Sequence, residues 1–279
     1  MKLHLLLAAS AALLSATLLG EGAAQAASVE MRDAVLRVTI VPEDRADVKV
    51  DVVRSNPKLP LDIRTRGDRT VIDGGLAFRI HDCHGSGADR RVSVRGVGDV
   101  AWDAMPEVVI HTPRAVAAES SGAVFGSIGR SASLDLEESG CSGWTIANVD
   151  GAAAVHESGA STVKMGSAGR LDTRISGAGK LYATELKGLD VIVSGAGLVR
   201  VTQLTGSLDA KVSGTGHIDV LDGRVGPMHA SVSGIGSVEF GGEADSLDAS
   251  ISGMGSIRVK AVKGPVTKAV SGAGHVSVG

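Results

Sequence analysis

Leu208-Asp209-Ala210-Lys211-Val212-Ser213-Gly214-Thr215-Gly216-His217-Ile218-Asp219-Val220 is the stretch that decides the fold. Its alternate residues Leu208, Ala210, Val212, Gly214, Gly216, Ile218 and Val220 are apolar or glycine, and the intervening set from Asp209 to Asp219 is polar. Successive side chains of a strand point to opposite faces, so this period of two marks a strand with one buried face. The parity recurs in Ile251, Gly253, Gly255, Ile257 and Val259, and again in Val270, Gly272, Gly274, Val276 and Val278. The Ser-Gly at the centre of the stretch belongs to a periodic series of nine, at Ser121, Ser139, Ser158, Ser176, Ser194, Ser213, Ser233, Ser252 and Ser271, at intervals of 18 to 20 residues. A unit of about 19 residues buries too little apolar surface to fold alone, so each must stack on its neighbours.

From the fourth copy onward the motif is Ser-Gly-x-Gly, and its glycines are read as structural: Gly177 and Gly179, Gly195 and Gly197, Gly214 and Gly216, Gly234 and Gly236, Gly253 and Gly255, Gly272 and Gly274. Two explanations fit them. Either the interior is pinched so that no side chain fits, or the backbone turns through positive φ that glycine alone adopts cheaply. The first three copies depart, with Val124, Ser142 and Ser161 in place of the second glycine.

A second turn falls halfway round each unit at Gly188, Gly206, Gly226-Pro227 and Gly264-Pro265. Each unit then reads strand, turn, strand, turn. A left-handed hexapeptide helix would need an aliphatic residue every sixth place, but steps of six from Val193 reach Val199, Thr205 and Lys211. Parallel crossovers are normally right-handed. The expectation is therefore an all-β chain: a right-handed parallel β-helix with coils of about 19 residues over 115–279, preceded at 27–114 by an irregular N-terminal β region that caps it or forms its first coils. Arg95-Gly96-Val97-Gly98 reads within that region as a degenerate copy of the motif.

Residues 1–26 read as a secretory signal, with Lys2 before an apolar run from Leu5 to Leu19 and a small-residue site at Ala24-Gln25-Ala26. The mature chain offers no run of about 18 apolar residues and so no transmembrane segment. The expected location is outside the cytoplasm: periplasm, outer cell surface or medium. A formal net charge of −3 with 2% aromatic residues argues against nucleic acid, which is bound through basic patches and stacking rings. In an oxidising compartment Cys83 and Cys141 either form a disulfide or remain two free, buried thiols.

No catalytic, metal or cofactor constellation emerges. His81-Asp82-Cys83-His84 lacks a second ligand pair at zinc spacing, and adjacent strand residues point oppositely. Gly177-Ala178-Gly179-Lys180 is followed by Leu181, where a phosphate loop needs Ser or Thr. Arg66-Gly67-Asp68 spells a cell-adhesion tripeptide, but Gly-Asp suits a hairpin turn between Leu61–Ile63 and Val71–Ile72. Asp219 and Glu239 take equivalent places in adjacent coils, where they could share a cation or simply form a solvated face.

The Ser-Gly-x-Gly series from Ser176 to Gly274, the export-type N-terminus and Val97-Gly98-Asp99-Val100-Ala101-Trp102 together resemble the bacterial head GIN domain family, associated with autotransporter adhesins. The resemblance spans roughly Ala34 to the end. It implies a right-handed β-helix of pectin-lyase shape and a role in adhesion, with no family active site to carry over. The chain is therefore expected to be an exported, non-catalytic structural or adhesin-like module of the cell envelope. A polysaccharide-active or polysaccharide-binding β-helix enzyme is the alternative. The candidate binding surface is the outward stripe Ser176, Ser194, Ser213, Ser233, Ser252 and Ser271, facing a glycan or a cell-surface protein. The open edge of the C-terminal coil is expected to support a homo-oligomer.

Overall fold

In the computed structural model, which describes residues 27–279, alternation becomes two ladders of parallel strands joined at two corners. On one face Leu134–Glu138 lies in register on Ala153–Glu157, and the ladder continues through Leu171, Leu189, Leu208, Met228 and Leu247 to Val266. On the other, the strand ending at Ile128 is followed by Gly143–Ile146 and Thr162–Met165, and the ladder continues to His275–Val278. Each strand bonds only to the coil before and the coil after, so the molecule is a parallel β-helix of about nine turns. Among the described residues no helix is long and apolar enough to cross a membrane. The export signal expected at 1–26 lies outside the described residues.

The inward set of the opening stretch is the core: Leu208, Ala210, Val212, Ile218 and Val220 are each at most 2% exposed. These residues stack on their equivalents in register, as in Ile175, Val193, Val212, Val232 and Ile251. A fully buried Val, Leu or Ile contributes about 1.5–3 kcal/mol relative to exposure. Columns of aliphatic residues thus make up most of the core, with Trp144 and Phe240 as buried rings among them.

The second corner is softer than a turn. In Leu198–Gly214, His217–Gly234 and Ser237–Gly253 the strand runs through it, with a local register shift at Gly206, Gly223 or Gly242 in place of a break. One extra residue absorbed as a bulge bends a strand without ending it, which is how coils of 18 to 20 residues stack in register elsewhere.

Parallel pairing begins at Ser28. The strand Ser28–Glu43 lies along Ala115–Ile128, and beyond it Arg69–Asp73 and Glu107–Pro113 add further parallel strands. Antiparallel strands Lys49–Arg54 and Asp62–Arg66 lie outside these and cover that end. Arg66-Gly67-Asp68 is the turn between Asp62–Arg66 and Arg69–Asp73, with Gly67 at φ +61°. Arg95-Gly96-Val97-Gly98 is not a copy of the corner motif. It links Arg91–Val94 to Gly98–Ala101 in an antiparallel meander with Ile80–His84, because its glycines, at φ +79° and +93°, reverse the chain and do not stack on a coil below.

Candidate functional site

The Ser-Gly-x-Gly corner projects a ridge along the helix. Ser176, Ser194, Ser213, Ser233, Ser252 and Ser271 are all exposed, and Ser213, Ser233, Ser252 and Ser271 are register partners on successive strands. Parallel strands lie about 4.8 Å apart, so the hydroxyls form a regular row. Beside them stand the exposed x residues Ala178, Ala196, Thr215, Ile235, Met254 and Ala273, with Ile235 61% and Met254 63% exposed.

The two glycines of the motif do different jobs. Gly214 has φ +138°, and a Cβ there would lie 2.8 Å from the Gly195 carbonyl oxygen of the coil below. Gly214 is thus required by backbone stacking and by its left-handed conformation, whereas Gly177 and Gly195 are required by stacking alone. The second points inward: a Cβ on Gly216 would lie 2.4 Å from Cγ1 of Val193 in the preceding coil, and Gly236, Gly255 and Gly274 meet Val212, Val232 and Ile251 in the same way. Here the interior is pinched by a β-branched neighbour.

That pinch explains the irregular first coils. The column of β-branched residues continues toward the N-terminus as Glu157, Glu138 and Ser120. Ser142 and Ser161 stand where later coils need glycine, and the residues one coil earlier are Ser120 and Glu138, which carry no second γ branch. Glu138 and Glu157 are register partners, 4% and 2% exposed, and each accepts a hydrogen bond from the serine of its own coil: Ser142 to Glu138, and Ser161 to Glu157 at 2.5 Å. Burial pushes both carboxyls up. Glu157, with the Glu138 charge adding to burial and the Ser161 hydroxyl opposing, reaches about 7; at Glu138, hydroxyls and the Trp144 indole offset part of the burial.

A second apolar cluster, containing Val35, Leu76, Val92, Val94, Val100 and Phe125, holds the meander against the outside of the first coils. Cys83 of the meander is bonded to Cys141, which is the x residue of the second corner, with Cα atoms 6.5 Å apart. Ala123, the x residue of the first corner, is wholly covered. The meander thus occupies the N-terminal part of the same ridge that lies open from Ala160 onward.

Other polar groups singled out by sequence are paired. Asp219 and Glu239 are register neighbours but each takes an arginine, Arg200 for Asp219 at 2.9 Å and Arg258 for Glu239. In the His81–His84 run, Cys83 is in the disulfide and His84 lies 3.1 Å from Asp82 on an exposed strand. Two features escaped the sequence reading. One is the buried glutamate pair, whose signal was Glu in an inward place beside Ser142 and Ser161. The other is Arg90, whose guanidinium carbon lies 4.2 Å from the Phe125 ring centre and 5.8 Å from that of Trp102.

The family model described as "Putative auto-transporter adhesin, head GIN domain" matches residues 89–222. Among solved structures, a putative adhesin from Parabacteroides distasonis superposes with a TM-score of 0.58 at 16% identity, covering 91% of this chain and 93% of that one. A putative adhesin from Bacteroides fragilis gives a TM-score of 0.42 at 15% identity over the same shares. No curated protein matches. The Parabacteroides distasonis likeness shows a shared fold.

Proposed function

We propose, from the match of residues 89–222 to the head GIN domain family, that the chain is an exported, non-catalytic β-helix whose serine-lined corner is an adhesive face. The observation that carries the reading is the open row of hydroxyls from Ser176 to Ser271, in register on rigid strands and flanked by small and apolar x residues. Hydroxyl donors and acceptors beside methyl and thioether groups suit a ligand that is itself amphipathic, such as a glycan or a cell-surface protein. A surface held by ladders on both sides needs little ordering when it binds, which favours affinity.

The test is a glycan array and a cell-binding assay with the full chain and with Ser213→Trp/Ser233→Trp, two exposed positions where a bulky side chain does not enter the core. Loss of binding in the variant supports the corner as the adhesive face. Undiminished binding removes the stripe from the mechanism. Export is tested separately: the exported protein should lack residues 1–26 by mass, and an intact mass would refute cleavage at the Ala24-Gln25-Ala26 site.

A further inference from the structure

Between the meander and the second face of the helix lies a cleft of about 580 Å³. Its floor is two adjacent outward columns of the ladder. One column runs Arg37, Phe125, Gly143, Thr162, and the other Thr39, Ser127, Thr145, Lys164. Its wall is Ser86, Gly87 and Arg90 together with Trp102.

Three cations line this cleft against one carboxylate, Glu107, and that carboxylate is already paired with Arg37. Arg90 is different. It packs on both Phe125 and Trp102 and against the backbone of Gly143, where a Cβ would come within 3.0 Å of Nη1. Among the described residues no counter-charge or acceptor meets its guanidinium, and burial alone pulls it below the usual arginine range. A guanidinium carries five N–H donors in a planar fork. Half-buried against two rings, Arg90 keeps those donors without an acceptor, and an anion that takes two of them forms a charge-assisted pair. The neighbouring hydroxyls say what else the anion carries: Thr39, Ser127 and Thr145 are register partners in a row that ends on exposed Lys164. A second cleft of about 560 Å³ also borders Arg90, but Asp33 and Asp82 line it and repel an anion.

We propose that the 580 Å³ cleft binds an acidic saccharide, its carboxylate seated on the Arg90 guanidinium and its hydroxyls on the Thr39–Ser127–Thr145 row. The site lies on a different face from the serine corner and does not depend on that reading. Calorimetric titration of the full chain with a galacturonic acid oligomer, the neutral galactose oligomer and its sulfated form tests it. The galacturonic acid oligomer binds and weakens with salt, the neutral one does not, and Arg90→Gln lowers affinity about tenfold or more, as loss of a charge-assisted pair requires. Lys164→Gln, on an exposed strand position where folding is not at stake, lowers it less. Lys260→Gln, which removes an exposed cation of the C-terminal coil, leaves it unchanged. Equal binding of the acidic and neutral oligomers, no binding of either, or wild-type affinity in both the Arg90 and Lys164 variants overturns the site. Preference for the sulfated oligomer overturns the carboxylate assignment, and loss of binding in Lys260→Gln overturns the location.

Discussion

Glu157 occupies a place that Ile175, Val193, Val212 and Val232 fill in later coils, and putting an acid there gives the protein a pH signature. Its folded-state pKa is raised, to about 7 from an ordinary 4.5. Between those values the native state holds more protons than the unfolded chain, so stability falls as pH rises. The contribution is intact below about pH 4.5 and lost by about pH 7, and the difference is on the order of 3 kcal/mol. Glu138, shifted the same way, adds to it. Exposed carboxylates such as Asp44 beside Arg114 and Asp51 beside Lys49 are held low and titrate below that window. Thermal unfolding across pH 4 to 8 should therefore show a midpoint several degrees lower at the neutral end, of order 5–10 °C. Glu157→Gln, which keeps the shape and removes the titration, should flatten most of that slope. An equally steep profile in the variant would place the effect elsewhere.

At the scale of the coil, the two motif glycines should respond differently to the same methyl group. Gly216→Ala drives a Cβ into Val193 Cγ1, an overpacking that costs about 1–3 kcal/mol. Val193→Ala removes that atom, so the double variant should be more stable than the two separate losses imply, by about 1 kcal/mol or more in a urea-denaturation cycle. Gly214→Ala meets the Gly195 backbone, at a φ of +138°, and no side-chain deletion can relieve it. Combined with Val193→Ala it should be additive. The strands were legible because burial on one face writes itself as alternation, as in Leu208 to Val220. The pairing of Glu138 with Glu157 was not, because it acts across the ladder between residues 19 apart and needs the register to be known. The same limit hid Arg90, whose neighbours Phe125, Trp102 and Gly143 meet through an antiparallel meander with no repeat in its sequence. Arg95-Gly96-Val97-Gly98 shows why letters alone mislead: two spaced glycines serve a hairpin as well as a coil corner.

Among the described residues one end of the helix is covered and the other is bare. At the first, the meander is tied to the coils by Cys83–Cys141, which closes a loop with a sequence separation of 58. Chain entropy puts such a link at about 4 kcal/mol. Cys83→Ser/Cys141→Ser should lower stability by up to that amount, and hydrogen exchange should show Ile80–Ala101 opening before the ladders, because its separate apolar cluster is the smaller one. Simultaneous exchange of the meander and the ladders would show that they unfold as one. At the other end, Val266–Gly272 pairs with Leu247–Gly253 on one side and with no strand on the other among the described residues. Val266, Val270 and Val278 are 40%, 45% and 37% exposed there. An unpaired row of backbone donors and acceptors beside apolar side chains is a template for another strand. Two copies meeting edge to edge through this same surface would form a closed twofold dimer. Sedimentation velocity of the purified chain should show a dimer fraction that grows with concentration. Val270→Lys, a charge on a half-exposed edge position, should return it to monomer while leaving the thermal midpoint of the dilute protein unchanged. A monomer at every concentration would show that edge lysines such as Lys268 already suffice to keep two copies apart.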